Sequence, residues 1–343
     1  MNKRFGKILR TLIILAVTGG LLYLAFRNID FAEMKEDIWA ADFRWVLVSV
    51  LLGWLAFVAR GIRWIILIDS LGFKANVWNS IHAVTFGYFA NLFVPRAGEI
   101  ARCTSLNQTD DVPVDKLIGT VIVERVIDFF FLGLFILASL ILQFDNIIAF
   151  FQSVNDARSS GGDAGEESNL LTYIGIAFAA GLIVLFALRK RILAMPLFDK
   201  IRSFMFGVLE GMKTVYKMQR KGAFIAYTLF IWAAYFGMIY VNFYSIEGLD
   251  ILGVADGVTM TVVGGLGMVV PAQGGIGSYH LAVSYGMTVL GQSYGLEETI
   301  NYQSGLTYAT IIHASQTLMI LTSGAIALFA LYLARTKKSR SEA

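Results

Sequence analysis

The chain has 343 residues, 57% of them hydrophobic and only 15% charged, with a mean hydropathy of +0.65. Soluble domains carry about 25% charged residues, so this composition excludes a water-soluble globule and leaves an integral membrane protein. The net charge is a modest +3, and the lone Cys103 excludes an intrachain disulfide or a cysteine-built metal cluster.

The first predicted span covers residues 8–27. It follows a basic start (Lys3, Arg4, Lys7) and has no small-x-small cleavage pattern before Arg27, so a retained helix is expected rather than a signal peptide. The second span, 44–69, carries Arg60 and Arg63 beside Trp54 and Trp64, and their side chains are expected to snorkel to headgroups. The next apolar region, 79–95, ends in FANLFVPRAGEIAR. Pro95 removes a backbone donor and breaks the helix. Beyond it Arg96, Glu99 and Arg102 follow at i, i+3 and i+6, near one helical face. Charges at membrane depth are retained when paired or solvated in a cavity. The segment is therefore either a phosphate or lipid-headgroup site or an interfacial loop at the cytoplasmic surface.

The third span, 117–144, contains Glu124-Arg125-Val126-Ile127-Asp128. Glu124 and Asp128 share one face, and Arg125 stands three residues before Asp128, with which it can pair. This cluster is either an ion-pair staple between helices or part of the same polar site as Arg96. The polar, glycine-rich stretch VNDARSSGGDAGEESN, 154–169, reads as a flexible outer loop. A span over 170–188 follows, then the 189–221 loop with nine Lys and Arg among Phe204, Phe206, Leu209 and Val215. That loop suits an amphipathic helix on anionic lipid. Spans over 222–245 and 305–334 flank a second broken region, 253–291, rich in glycine around Pro271.

Most of the 28 Lys and Arg fall in the N-tail, at Lys74, in 95–116, in 189–221 and in the C-tail. The opposite loops are acidic. This bias places both termini in the cytoplasm. Segment 79–95 must then enter the membrane and return on one side, while 253–291 either re-enters or crosses twice. Val94 to Ile100 can be laid over Val270 to Ile276 with Val, Pro, Gly and Ile in common, 176 residues apart. Matched breaks in opposite-facing halves point to an inverted-repeat transporter, with its site where the broken helices meet. Freed N–H groups at a half-helix start suit an anion.

His82, His280 and His313 are scattered and show no metal-ligand spacing. His280, in GGIGSYH, is either a hydrogen-bonded structural residue or a site residue. Asn91 and Gln273 flank the breaks and could bind a headgroup or satisfy freed backbone. Gly275-x-Gly277 is no dinucleotide fingerprint, since no strand precedes it. Asp110-Asp111 reads as a solvent-exposed acidic pair.

NLFVPRAGEIAR, VERVID and VVPAQGGIGSYH, in this order, resemble the membrane-domain family named after lysylphosphatidylglycerol synthase, over nearly the whole chain. The motif residues are Asn91, Pro95, Gly98, Glu99, Arg102, Glu124, Arg125, Asp128, Pro271, Gly274, Gly275 and Gly277. The chain departs from the pattern at His280, where many relatives have glutamate. The resemblance implies a flippase-like domain with two pseudo-symmetric halves and re-entrant helices. In members fused to a soluble aminoacyltransferase, the membrane part translocates the aminoacylated lipid. This sequence ends shortly after its last span, so no such catalytic domain and no enzyme activity are expected.

The expected fold is an all-α polytopic membrane protein with about six full spans, two Pro/Gly-broken re-entrant segments (eight crossings at most) and an inverted pseudo-repeat. A single integral membrane domain, 1–343, has halves at about 1–153 and 170–343. The expected function is a lipid translocase of the cytoplasmic (inner) membrane that moves an anionic or phosphate-linked lipid through a groove between the broken helices. Arg96 and Arg102 would hold the headgroup, with Glu99 positioning one of them. Asn91, Gln273, Gly274, Gly275 and Gly277 would complete the site, and Glu124, Arg125, Asp128 and His280 would join it. Glu99, Glu124, Asp128 and His280 are candidate proton carriers. No ATP-binding loop, metal or cofactor is expected. The partner is a phospholipid or lipid-linked phosphate rather than nucleic acid, with a homo-oligomer allowed. Two alternatives stand: a membrane enzyme acting on a lipid phosphate through Glu124 and Asp128, and a non-transporting lipid-binding partner protein.

Overall fold

The computed structural model describes residues 3–27, 29–94, 97–144, 218–270 and 272–342, with side chains from Leu15 to Arg340. Among the described residues the chain forms ten α-helices and no strand. The expected 154–169 loop and 170–188 span, most of the 189–221 loop, and Pro95, Arg96 and Pro271 lie outside them.

Helix α1 runs Lys3–Phe26, α2 Phe31–Ala40, α3 Phe43–Ser70 and α4 Val77–Phe93. Helix α5 runs Gly98–Asp110, α6 Val114–Leu142 and α7 Lys221–Tyr240, which continues into a 3-10 turn to Ser245. Helix α8 runs Val254–Val269, α9 Ser278–Tyr294 and α10 Tyr302–Glu342, with a 3-10 turn, Gln273–Gly275, between α8 and α9. Four stretches, Phe43–Ser70, Val114–Leu142, Lys221–Ser245 and Tyr302–Arg340, are long and apolar enough to cross a membrane. The protein is a multi-pass membrane protein, and these helices occupy four of the predicted spans.

Local chemistry sets the helix starts. Asp42 accepts the backbone N–H of Arg44 at the start of α3. Asn76 accepts those of Trp78 and Asn79 at the start of α4. These side chains satisfy donors that a helix start leaves free. The two broken regions form helix–break–helix hairpins. Helices α4, α5, α8 and α9 have 17, 13, 16 and 17 residues. At 1.5 Å per residue each is about 20–26 Å long, short of the ~30 Å hydrocarbon core.

Both hairpins are clipped at their open ends by an aspartate. In the first, Asp110 of α5 accepts from Asn76 N (2.7 Å) and Asn79 Nδ2 (2.9 Å). In the second, Asp256 of α8 accepts from Tyr294 Oη of α9 (2.9 Å) and also caps Gly253 N (2.8 Å). Helix α3 packs on α7. The first hairpin packs on α10 through α4, and the second packs on α6 through α8. An apolar core joins α7, α8, α9 and α10 through Ile239, Phe243, Met260, Tyr279, Val283, Met287, Tyr308 and Ile312. The interior between α3, α5 and α6 is charged instead.

Candidate functional site

Helix α3 turns Arg60 and Arg63 inward, one turn apart. Their relative exposures are 4% and 0%, so the expectation that they snorkel to headgroups is wrong. Both face carboxylates of α6. Arg60 Nη2 donates to Asp128 Oδ2 (2.7 Å), and its Nε donates to Tyr235 Oη of α7 (2.7 Å). Arg63 Nη2 lies 3.0 Å from Asp128 Oδ1 and 3.3 Å from Glu124 Oε1, and its Nη1 reaches Thr228 Oγ1 at 3.2 Å. From α5, Arg102 Nη2 donates to Glu124 Oε2 (2.5 Å). Its guanidinium stacks 4.7 Å over the ring of Trp64, whose Nε1 donates to Thr120 Oγ1 (2.7 Å).

Each buried carboxylate therefore bridges two guanidinium groups. Pairing on this scale is what keeps charges tolerable away from water. Glu124 and Asp128 do present one face, and both reach Arg63. Arg125, expected to pair with Asp128, instead donates to Glu99 Oε1 of α5 (2.6 Å). The reason is directional: Asp128 faces α3, where two arginines already hold it. Arg125 projects toward the N-terminal turn of α5 and stays half-exposed.

Around the first break, α4 and α5 approach closely. A Cβ on Gly98 would collide with the Gly87 carbonyl and the Asn91 amide. No side chain of α5's own N-terminus caps it. Asn91 Oδ1, one arm back, accepts the Gly98 N–H at 2.7 Å. Here Asn91 satisfies freed backbone. A small open recess of about 20 Å³ lies at this junction and is lined by Arg60, Tyr88, Asn91, Glu99, Arg102 and Arg125 among others.

The second break touches the first. Gln273 Nε2 donates to the Leu92 carbonyl at the end of α4 (3.0 Å), and its backbone N–H donates to Thr18 Oγ1 of α1 (3.0 Å). Gly274, Gly275 and Gly277 have φ of 61°, 77° and 84°, a region open mainly to glycine. At Gly277 the backbone of Leu21 and Leu22 in α1 leaves no room for a Cβ. His280 is buried, and its ring centroid is 5.0 Å from that of His313 in α10. His313 Nε2 sits 2.9 Å from the Gly274 carbonyl.

Of the residues singled out in the sequence, Asn91, Glu99, Arg102, Glu124, Arg125 and Asp128 come together at the first break. Gln273 joins that neighbourhood through Leu92, while Gly274 and His280 stand with His313. Sequence reasoning missed Tyr235, Thr228 and His313 as partners. It placed Arg60 and Arg63 at the interface, although two arginines one turn apart within a span already call for internal carboxylates. Among the described residues no cluster of three His, Cys, Asp or Glu is arranged to hold a metal.

Comparison with known proteins agrees that the chain is a membrane protein. It is 28% identical over 137 residues to a UPF0104 membrane protein of Methanocaldococcus jannaschii, covering 38% of this chain and 41% of the relative. The match thus spans about two fifths of that relative's length. No solved structure matches. The family model described as the lysylphosphatidylglycerol synthase TM region matches residues 9–324. The chain belongs to that family.

Proposed function

We propose that the protein is a lipid translocase that moves a lipid with an anionic, phosphate-bearing headgroup between leaflets. One observation carries the reading. Among the described residues of the network, Arg60, Arg63, Arg102 and Arg125 stand against Glu99, Glu124 and Asp128, leaving one positive charge in excess beside an open recess. An anion would balance it. Arg96, between α4 and α5 in the sequence, adds a further positive charge to the same stretch of chain. The Arg125–Glu99 pair is the exposed member, and a phosphate entering the recess would compete with Glu99 for Arg125.

The hairpins support a transporter. Their arms are too short to cross singly, which favours re-entrance over two crossings for 253–291. Irregular backbone at membrane depth is tolerated where it lines a cavity or is buried in protein. The exchange of packing partners, α4 with α10 and α8 with α6, supports halves at about 1–153 and 170–343 in an inverted repeat. Rocking of the halves would then expose the recess to either leaflet. The charge bias of the loops favours the cytoplasmic membrane with both termini inside.

An enzyme using Glu124 and Asp128 as an acid/base or metal pair fits less well, because both carboxylates are committed to guanidinium groups. The test is transbilayer movement of fluorescent anionic and zwitterionic lipids in proteoliposomes, comparing the parent with Arg96→Ala and Arg125→Gln. Protein-dependent movement of anionic lipid, reduced in both variants, supports translocation. Headgroup binding without movement of any lipid in the panel overturns it.

A further inference from the structure

We infer that His280 and His313 form a shared proton site that controls the shape of the second break; as the coupling device of transport this rests on the translocase reading above. His280 opens α9 directly after the break and His313 projects from α10, with ring centroids 5.0 Å apart and planes nearly perpendicular. His313 Nε2 lies 2.9 Å from the carbonyl of Gly274, a residue held at φ 61°. His280 is 5% exposed, and its Nδ1 has no hydrogen-bond partner among the described residues. A buried, unpartnered ring nitrogen beside a second imidazole is a place for a proton to arrive.

The surroundings favour one proton for the two rings. Helix α1 contributes Phe26, 5.7 Å from His280. Helix α9 contributes Tyr279, 5.6 Å from His313. Among the described residues the titratable group in contact with both rings is the Tyr279 phenol, and no carboxylate or guanidinium contacts either ring. Two imidazolium rings this close would repel with nothing to offset them. When neutral, His313 can donate at Nε2 to Gly274 only if its Nδ1 is unprotonated. A proton added to the pair makes that bond charge-assisted and stronger or moves the ring toward His280. Either change acts on a carbonyl next to Gln273, whose side chain holds the end of α4.

The first half supplies the contrast. There the bridges from the second arm of the hairpin to the long helix after it are ion pairs, Glu99–Arg125 and Arg102–Glu124. In the second half the facing side chains are two imidazoles, the side chain whose charge ordinarily changes near neutral pH. One break is flanked by ion pairs and the other by a pair of histidines.

The chain has three histidines, so ring-13C-histidine NMR in lipid nanodiscs can follow each, with His82 as internal reference and single variants for assignment. On acidification from about pH 8 to about pH 4, the His280 and His313 signals should titrate together and take up one proton between them. In His313→Asn, His280 should revert to a simple one-site curve; His280→Asn gives the reciprocal test should the first variant fail to fold. Two independent full titrations, or none, would overturn the proposal. A spin label at Ile276→Cys in a Cys103→Ala background should change its spectrum over the same range in the parent and not in His313→Asn. An unchanged parent spectrum also overturns it. Lipid movement in vesicles with an imposed pH gradient separates the two claims. If no lipid moves at any pH the translocase reading fails, while the titration and the label still decide the proton site.

Discussion

Gln273, in the turn after α8, donates its side-chain amide to the main-chain carbonyl of Leu92 at the end of α4 (3.0 Å). The two helix breaks, 181 residues apart along the chain at this contact, are therefore joined by a direct bond. Its backbone N–H is bound in turn by Thr18 of α1, so one residue ties together three elements.

Replacing Gln273 by leucine removes the amide and leaves the carbonyls at the end of α4 without that donor. The expected loss is about 0.5–1.5 kcal/mol, the usual net worth of a hydrogen bond, since this one is only part-buried. Gln273→Glu should be at least as disruptive, since it replaces a donor with an acceptor facing carbonyls. Thermal unfolding in detergent of the parent and both variants checks this. An unchanged melting temperature in both would show that the breaks are held together by other contacts.

Glu124 bridges Arg63 and Arg102 and is fully buried. Glu124→Gln keeps the shape and removes the charge that compensates both arginines. Breaking one partner of a buried ion pair costs about 3–5 kcal/mol, so the variant is expected to unfold or express poorly. The double variant Glu124→Gln, Arg102→Gln should recover part of that loss, because residues in one network couple non-additively. A double-mutant cycle on melting measures it, and strict additivity would sink the idea of a shared network.

The pair Arg125–Glu99 is different. Its side chains are 51% and 33% exposed, so solvent screening leaves it worth at most about 1 kcal/mol. Arg125→Gln should melt near the parent temperature and yet lose binding of anionic lipid, measured by co-sedimentation with vesicles containing phosphatidylglycerol. Loss of stability without loss of binding would make Arg125 a scaffold residue.

Much of the fold was legible because the bilayer leaves few solutions. Apolar runs near 20 residues had to be helices, and α3, α6, α7 and α10 lie where hydropathy placed them. Pro95 and Pro271 marked both breaks, and Asn91, Glu99, Arg102, Glu124, Arg125 and Asp128 do converge. The partners were less legible. Helical spacing gave Arg125 a neighbour at Asp128, but it reports only contacts within one helix. Arg60 and Arg63 come from another helix and take Asp128 first. His313 carried no local motif at all, and only the packing of α9 on α10 brings it to His280.

Gly98 begins α5 where the Gly87 carbonyl and the Asn91 amide already fill the space a side chain would need. The contact is to backbone, which cannot swing aside as a flexible side chain can. Gly98→Ala must therefore part α4 from α5 or displace Asn91 from the Gly98 N–H that it caps. Forcing extra volume into a packed contact typically costs about 1–3 kcal/mol, and loss of a cap adds roughly 1 kcal/mol. Gly119 of α6 has open space around it, so Gly119→Ala is the matched control and should be neutral or slightly stabilising, since alanine favours a helix. The two variants separate close approach from helix propensity. A Gly98→Ala protein that melts with its Gly119→Ala counterpart would mean that the first hairpin has slack, and that the recess beside Arg125 is not fixed by the contact of α4 with α5.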